Sequence, residues 1–125
     1  MEDTTKTLRD NIINATFKMR LNKVMDVSKF TSSKFISFAK NLKIMCTVLD
    51  ELGYNTDFLI AQDKLVCSVF NRDSSKENPY GLFYDYKDDR VGIVDEGMGE
   101  IGEASYDNVD LLFNVYTSEY IKILP

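Results

Sequence analysis

The chain of 125 residues contains no histidine and no tryptophan, and it has only two prolines and two cysteines. Histidine is the side chain that most often carries protons and binds metal ions near neutral pH. Its absence excludes Ser-His-Asp and Cys-His catalytic arrangements within this chain. A Ser-Lys arrangement or a pair of carboxylates stays open, but sequence neighbours on a strand point to opposite faces. We therefore predict that the protein is not an enzyme, and we assign it no metal and no cofactor.

Long apolar runs are also missing. No stretch approaches the ~20 apolar residues that span a bilayer, and no apolar signal segment follows the polar start Met1-Glu2-Asp3. We expect a cytoplasmic protein that does not contact a membrane. Cys46 and Cys67 stand among apolar neighbours, so we expect two buried free thiols and no disulfide.

The spacing of apolar residues predicts an α+β fold in a single domain, residues 1–125. Helical spacing covers residues 4 to 25 and a second segment from Ser28 or Ser32 to Leu52. From Asp57 onwards the period changes to two, which is typical of strands. The predicted strands are Asp57–Ala61, Lys64–Phe70, Tyr80–Lys87 and Arg90–Asp95. A short helix is predicted from Tyr106 to Thr117, and Tyr120–Leu124 extends it or forms an edge strand. We expect two N-terminal helices packed on an antiparallel β-meander of about four strands, with a short C-terminal helix.

Each N-terminal helix carries a distinct apolar pattern. The first has two neighbouring stripes: Leu8, Ile12, Ala15 and Met19, and beside them Ile13, Phe17, Leu21 and Val24. Two stripes predict that this helix contacts more than one neighbour. The second helix has one stripe with a strict 3-4 alternation: Phe35, Phe38, Leu42, Met45, Leu49 and Leu52. Such a stripe is typical of a core helix.

The two signs of charge occupy different halves of the chain. Residues 1–53 hold nine Lys/Arg and six Asp/Glu, a net charge of +3, whereas residues 54–125 hold six and fourteen, a net charge of −8. Gly97-Met98-Gly99-Glu100-Ile101-Gly102 fits the G-x-G-x-x-G pattern of dinucleotide-binding folds. Four acids crowd this segment and would repel phosphate, and the strands before it look antiparallel. We interpret it as an acidic turn. The same acids match no EF-hand spacing, so a divalent-cation site is only an alternative.

We predict a small protein-binding module that inhibits or neutralises a basic partner, such as a nucleic-acid-processing enzyme. The acids favour a basic protein over direct binding of nucleic acid. Lys, Asn, Ile and Asp are abundant, which is compatible with a viral host-directed inhibitor. The alternative is self-assembly, including a homodimer, through the Phe35–Leu52 stripe or an exposed strand. The predicted partner-binding residues are Tyr84, Asp85, Tyr86, Asp88, Asp89, Asp95, Glu96, Met98, Glu100 and Glu103.

Overall fold

The computed structural model describes residues 4–101 and 107–123. Its elements are α1 (Thr4–Asn22), α2 (Ser33–Glu51), β1 (Tyr54–Ala61), β2 (Lys64–Asn71), β3 (Gly81–Asp85), β4 (Arg90–Val94) and α3 (Val109–Val115). The four strands form one antiparallel sheet in the order β1-β2-β3-β4. The predicted α+β class, with two N-terminal helices, a four-stranded meander and a short C-terminal helix, is confirmed.

The second helix, α2, begins and ends as its sequence predicts. The hydroxyl of Ser32 accepts a hydrogen bond from the backbone N–H of Phe35, which caps the helix start. Gly53, just beyond the end, has a φ of +94°, a conformation that costs glycine least. The buried stripe consists of Phe35, Phe38, Leu42, Met45 and Leu49. Leu52, predicted as its sixth member, is exposed because the helix ends before it.

The sheet buries residues on both of its faces. Leu65, Cys67 and Val69 belong to the main core, which they share with α2. Val66, Phe83 and Val94 form a smaller apolar cluster on the opposite face, with Met98 packed against it. The sheet therefore has no fully hydrated face, and this explains why every residue of β3 is buried.

Strand ends and the C-terminal segment differ from the predictions. Strand β3 ends at Asp85, and not at Lys87, because the Asp85 carboxylate accepts the backbone N–H groups of Lys87 and Asp88 and starts the turn. After α3, residues Tyr116–Tyr120 form a π-helical turn, so the helical segment extends to Tyr120, whereas residues 121–123 are neither helix nor strand and Leu124 lies outside the described residues. The predicted helix start at Tyr106 lies outside the described residues.

The first helix contacts more than one neighbour, as predicted, because it packs on β1 and is joined to α2 by polar contacts, but only one of its two apolar stripes faces the protein. Leu21 is buried and Phe17 packs edge-on against Phe58 of β1, with ring centroids 5.8 Å apart. The other stripe faces solvent: Leu8 is 57%, Ile12 66% and Met19 65% exposed. Helix α1 lies at the outside of the fold, so no described element lies over its second stripe.

Membrane crossing requires a helix that is both long and strongly apolar. No helix within residues 4–101 and 107–123 meets both requirements.

Candidate functional site

Two of the predicted acids, Asp85 and Glu100, are engaged by cations of the sheet. Arg90 contacts Asp85 at 2.9 Å and Glu100 at 2.6 Å, and Lys64 lies 3.9 Å from Glu100. Asp85 is only 5% exposed. Burial raises the pKa of Asp85, but the Asp88 backbone N–H and the Arg90 guanidinium outweigh burial and hold it below its ordinary value. The negative charge of these two acids is therefore largely balanced within the protein.

Hydrogen bonds of Tyr84 and Asp89 connect the β3–β4 turn to the start of α2. The Tyr84 hydroxyl donates to the Asp89 carboxylate at 2.6 Å, and the Ser32 hydroxyl donates to the same oxygen at 2.8 Å. These two hydrogen bonds lower the pKa of Asp89. Burial raises the pKa of Tyr84 to about 12. Tyr84 is 3% exposed and packs on Phe35 and Phe38, so a partner could reach very little of the ring that we predicted as an anchor.

The segment after β4 is a turn, in agreement with the interpretation of the glycine-rich motif. The Asp95 carboxylate accepts the backbone N–H groups of Gly97 and Gly99 at 3.0 Å each. Residue Met98 has a φ of +64°, and Glu100 forms a bridge with Val94. Asp95 thus organises the turn, while Glu96 is exposed.

Tyr86 and Asp88 lie at the opposite end of β4. Tyr86 is half-buried against Phe30, and its hydroxyl donates to the Asp63 carboxylate at 3.3 Å. Asp88 is exposed in the β3–β4 turn. Glu103 lies outside the described residues. The predicted set therefore divides between the β3–β4 turn and the Asp95 turn, at opposite ends of β4, and Arg90 links the two through its contacts with Asp85 and Glu100.

A different surface has the shape of a binding site. A cleft of about 1110 Å³ lies between α1 on one side and the end of α2 and the start of β1 on the other. Its α1 wall carries the apolar Leu8, Ile12, Ile13 and Phe17 among polar residues that include Arg9 and Arg20. The opposite side is lined by Tyr54 and Phe70 together with charged residues, among them Asp50, Glu51 and Asp57. Concave surfaces of about this size are where ligands and partner segments usually bind.

Polar contacts connect α1 to the rest of the protein across this cleft. Arg9 forms an ion pair with Glu51, and Lys43 donates to the side-chain oxygen of Asn14 at 2.5 Å. Arg20 donates to the backbone oxygen of Thr56 at 2.5 Å and to its hydroxyl at 3.0 Å.

Arg20 also packs against β1, the strand at the edge of the sheet. The Arg20 guanidinium lies over the Phe58 ring, 4.4 Å from its centroid. Arg72 donates to the backbone oxygen of Tyr54 at 3.1 Å. Two carbonyl groups of the edge strand β1 are thus occupied by arginine side chains, which leaves less backbone available for pairing with another strand.

Cys46 lines the cleft, and both cysteines are buried free thiols, as predicted. A hydrogen bond from the Cys67 thiol lowers the pKa of Cys46, and Thr56 and Arg20 act in the same direction. The same contact and complete burial raise the pKa of Cys67. Within the described part of the chain, no group of three or more cysteines and carboxylates is arranged to hold a metal ion.

The sequence does not predict the exposed stripe or the cleft, because residue spacing does not show which of two neighbouring apolar stripes on a helix faces the core. A usable signal was present: α1 holds four basic residues and one acid, Asp10. A basic, amphipathic helix in a chain of net charge −5 is typical of an interaction element. Comparison with protein-family models, curated proteins and solved structures finds no match for this chain.

Proposed function

We propose that this protein is a non-enzymatic module that binds another protein through α1. The observation that carries the proposal is the row of exposed apolar side chains on this helix, Leu8, Ile12 and Met19, beside an open cleft. Single exposed apolar residues are normal, but a contiguous apolar patch next to a concave surface marks an interaction site.

Titratable groups support a binding role more than catalysis. Catalytic sites are where shifted pKa values gather in a cleft. Cys46 lines the cleft and its pKa is lowered, but the chain has no histidine that could serve as its base. The carboxyls with lowered pKa values near the sheet, Asp85, Asp89 and Glu100, each serve a structural contact and none lines the cleft.

A second candidate is the acidic surface that the sequence predicts, with a basic protein as partner. Asp63 and Asp88 are both exposed near Tyr86, whose backbone N–H donates to the carbonyl oxygen of Asp63. Exposed carboxylates at one end of a sheet attract a basic enzyme over a distance, and the module would then inhibit or neutralise that enzyme. A cytoplasmic location and a viral, host-directed role belong to this second candidate.

Site-specific photo-crosslinking tests both candidates in the cells that naturally contain the protein. A photoreactive phenylalanine replaces Ile12 on α1, Asp88 at the acidic end, or Ile36 on the exposed side of α2, which is 58% exposed and serves as the control. We expect a discrete crosslinked protein from position 12 and none from position 36. Crosslinks from position 88 alone would favour the acidic surface. The absence of any specific crosslink at both positions would refute a protein-binding function.

A further inference from the structure

The exposed residues on α1 are spaced like one seam of a coiled coil. Leu8, Ile12, Ala15 and Met19 follow each other by four, three and four residues, and all four are exposed. A helix rises 1.5 Å per residue, so the row from Leu8 to Met19 is roughly 17 Å long. That length and the 4-3-4 spacing suit pairing with about three turns of another helix.

The charged residues beside this row indicate which chemistry a partner would need. Lys18 stands three residues after Ala15, and Lys23 follows the end of the helix, four residues after Met19; both are exposed. Asp10, the acid of α1, points to the opposite side, because at 100° per residue it lies more than 150° from the centre of the row. The flanks of the row are therefore basic.

Two further cations lie at the cleft. Arg20 hydrogen-bonds to Thr56, and Lys43 to Asn14. In the part of the chain that the structure describes, neither has a carboxylate within ion-pairing distance. Three carboxylates also line the cleft, Asp50, Glu51 and Asp57, but Asp50 is paired with Arg72 and Glu51 with Arg9. A ligand that brings carboxylates to this side of α1 could therefore contact Arg20 and Lys43.

These features disfavour a second copy of this chain and a lipid surface. Two copies of α1 placed side by side would bring their basic flanks together, which is unfavourable. An anionic bilayer would match the charge, but a flat surface cannot fill the cleft that continues from Leu8 and Ile12.

We propose that α1 and the adjoining cleft bind an amphipathic helix of a partner protein whose apolar stripe is flanked by Asp and Glu. This inference rests on the proposed protein-binding function and adds the chemistry of the partner. The apolar side chains of the partner pack between Leu8, Ile12 and Met19, and its carboxylates face Lys18, Lys23 and the cations of the cleft.

Two designed helical peptides test this inference. Both have 21 residues and leucines at 4-3-4 spacing; one has Glu and the other Lys at the flanking positions. Fluorescence anisotropy with the full chain is expected to give at least tenfold tighter binding of the Glu peptide, which corresponds to about 1.4 kcal/mol. Binding is expected to weaken as salt increases.

Surface variants locate the site. Ile12→Gln is expected to weaken binding of the Glu peptide about tenfold, whereas Ile36→Gln, the matched control on α2, leaves it unchanged. Lys18→Glu with Lys23→Glu is expected to reverse the preference between the peptides. Circular dichroism checks that each variant is folded, and all replaced side chains are exposed.

Several results would overturn the inference. These are equal binding of both peptides, no binding of either, no effect of Ile12→Gln, and tighter Ile12-dependent binding to phosphatidylserine vesicles than to the Glu peptide. If neither peptide binds but crosslinking at position 12 still captures a protein, the partner chemistry is wrong and the protein-binding function stands. If crosslinking fails as well, both are wrong.

Discussion

Replacement of Arg90 by methionine tests whether the acids of the C-terminal half are balanced inside the protein. Arg90 contacts both Asp85 and Glu100, and its guanidinium lies 5.8 Å from the centre of the Phe83 ring. Methionine keeps an apolar stem over the ring but removes the charge. The nearly buried Asp85 carboxylate then loses its closest cation.

The expected cost follows from the exposure of the partners. Loss of one member of a buried ion pair costs about 3–5 kcal/mol. Side-chain exposure of Arg90 is 32%, and Asp85 keeps its hydrogen bonds from the backbone of Lys87 and Asp88. We therefore expect Arg90→Met to lower the free energy of unfolding by about 2 kcal/mol at pH 7. Arg9→Met, which removes an ion pair exposed on both sides, is the control and is expected to cost under about 1 kcal/mol.

The pH dependence gives a second, independent check. In the natural protein the pKa of Asp85 is lowered, so its stabilisation is present above the ordinary carboxyl pKa and is lost as pH falls through the lowered value. Without Arg90, burial of Asp85 is opposed less strongly, by the backbone N–H groups of Lys87 and Asp88. The pKa of Asp85 therefore rises from its lowered value, and protonation relieves the unpaired charge at a higher pH than in the natural protein. The stability deficit of the variant should therefore shrink from pH 7 to about pH 4.

Urea denaturation followed by circular dichroism measures these differences, since the chain has no tryptophan to report unfolding. Adding Asp85→Asn to Arg90→Met should recover part of the lost stability, because no unpaired charge remains. A deficit for Arg90→Met below about 0.5 kcal/mol that stays constant with pH would refute the reasoning. Asp85 would then be adequately solvated without Arg90.

Other contacts lead to further predictions. Asp89→Asn should lower the free energy of unfolding, measured by urea denaturation, by about 1 kcal/mol at pH 7. Because hydrogen bonds lower the pKa of Asp89, this difference should vanish as the natural carboxyl becomes protonated. A difference that persists at pH 2 would contradict this. Iodoacetamide should modify Cys46 before Cys67, as judged by mass spectrometry of peptides, because Cys46 lines the cleft and has the lower pKa; equal rates would contradict the assignment. Gly81→Ala should lower the free energy of unfolding by about 2 kcal/mol, because the added carbon would lie 2.7 Å from the backbone oxygen of Cys67. An unchanged midpoint of urea unfolding would show that the sheet adjusts freely.

The fold was predictable because local patterns and tertiary packing agree in α2 and in the hairpins. The 3-4 spacing from Phe35 to Leu49 matches its burial, and the period of two in β2 separates Leu65 and Cys67 on one face from Val66 on the other. Gln62 and Asp63 both have positive φ values, which suits a tight two-residue hairpin turn.

The candidate site was harder to predict, because the sequence shows which residues are charged but not which residues lie beside them in the fold. Asp85 and Glu100 are fifteen positions apart and share one arginine, a relation that depends on the register of the sheet. Tyr84 is aromatic and next to acids, yet the alternation of β3 directs its ring into the core. The position of the sheet determines which of the two apolar stripes of α1 is buried. The spacing of residues along one helix does not give that position.

Two carbonyl groups at the outer edge of β1, those of Tyr54 and Thr56, accept hydrogen bonds from arginine side chains. One of the two arginines belongs to α1, so proteolytic removal of that helix would uncover the Thr56 carbonyl and the Phe58 ring together. An uncovered strand edge next to an apolar ring is the kind of surface from which ordered fibrils grow. A chain shortened by its first 22 residues should therefore form thioflavin-positive aggregates, and the helix that we assign to partner binding would also act as a safeguard against polymerisation.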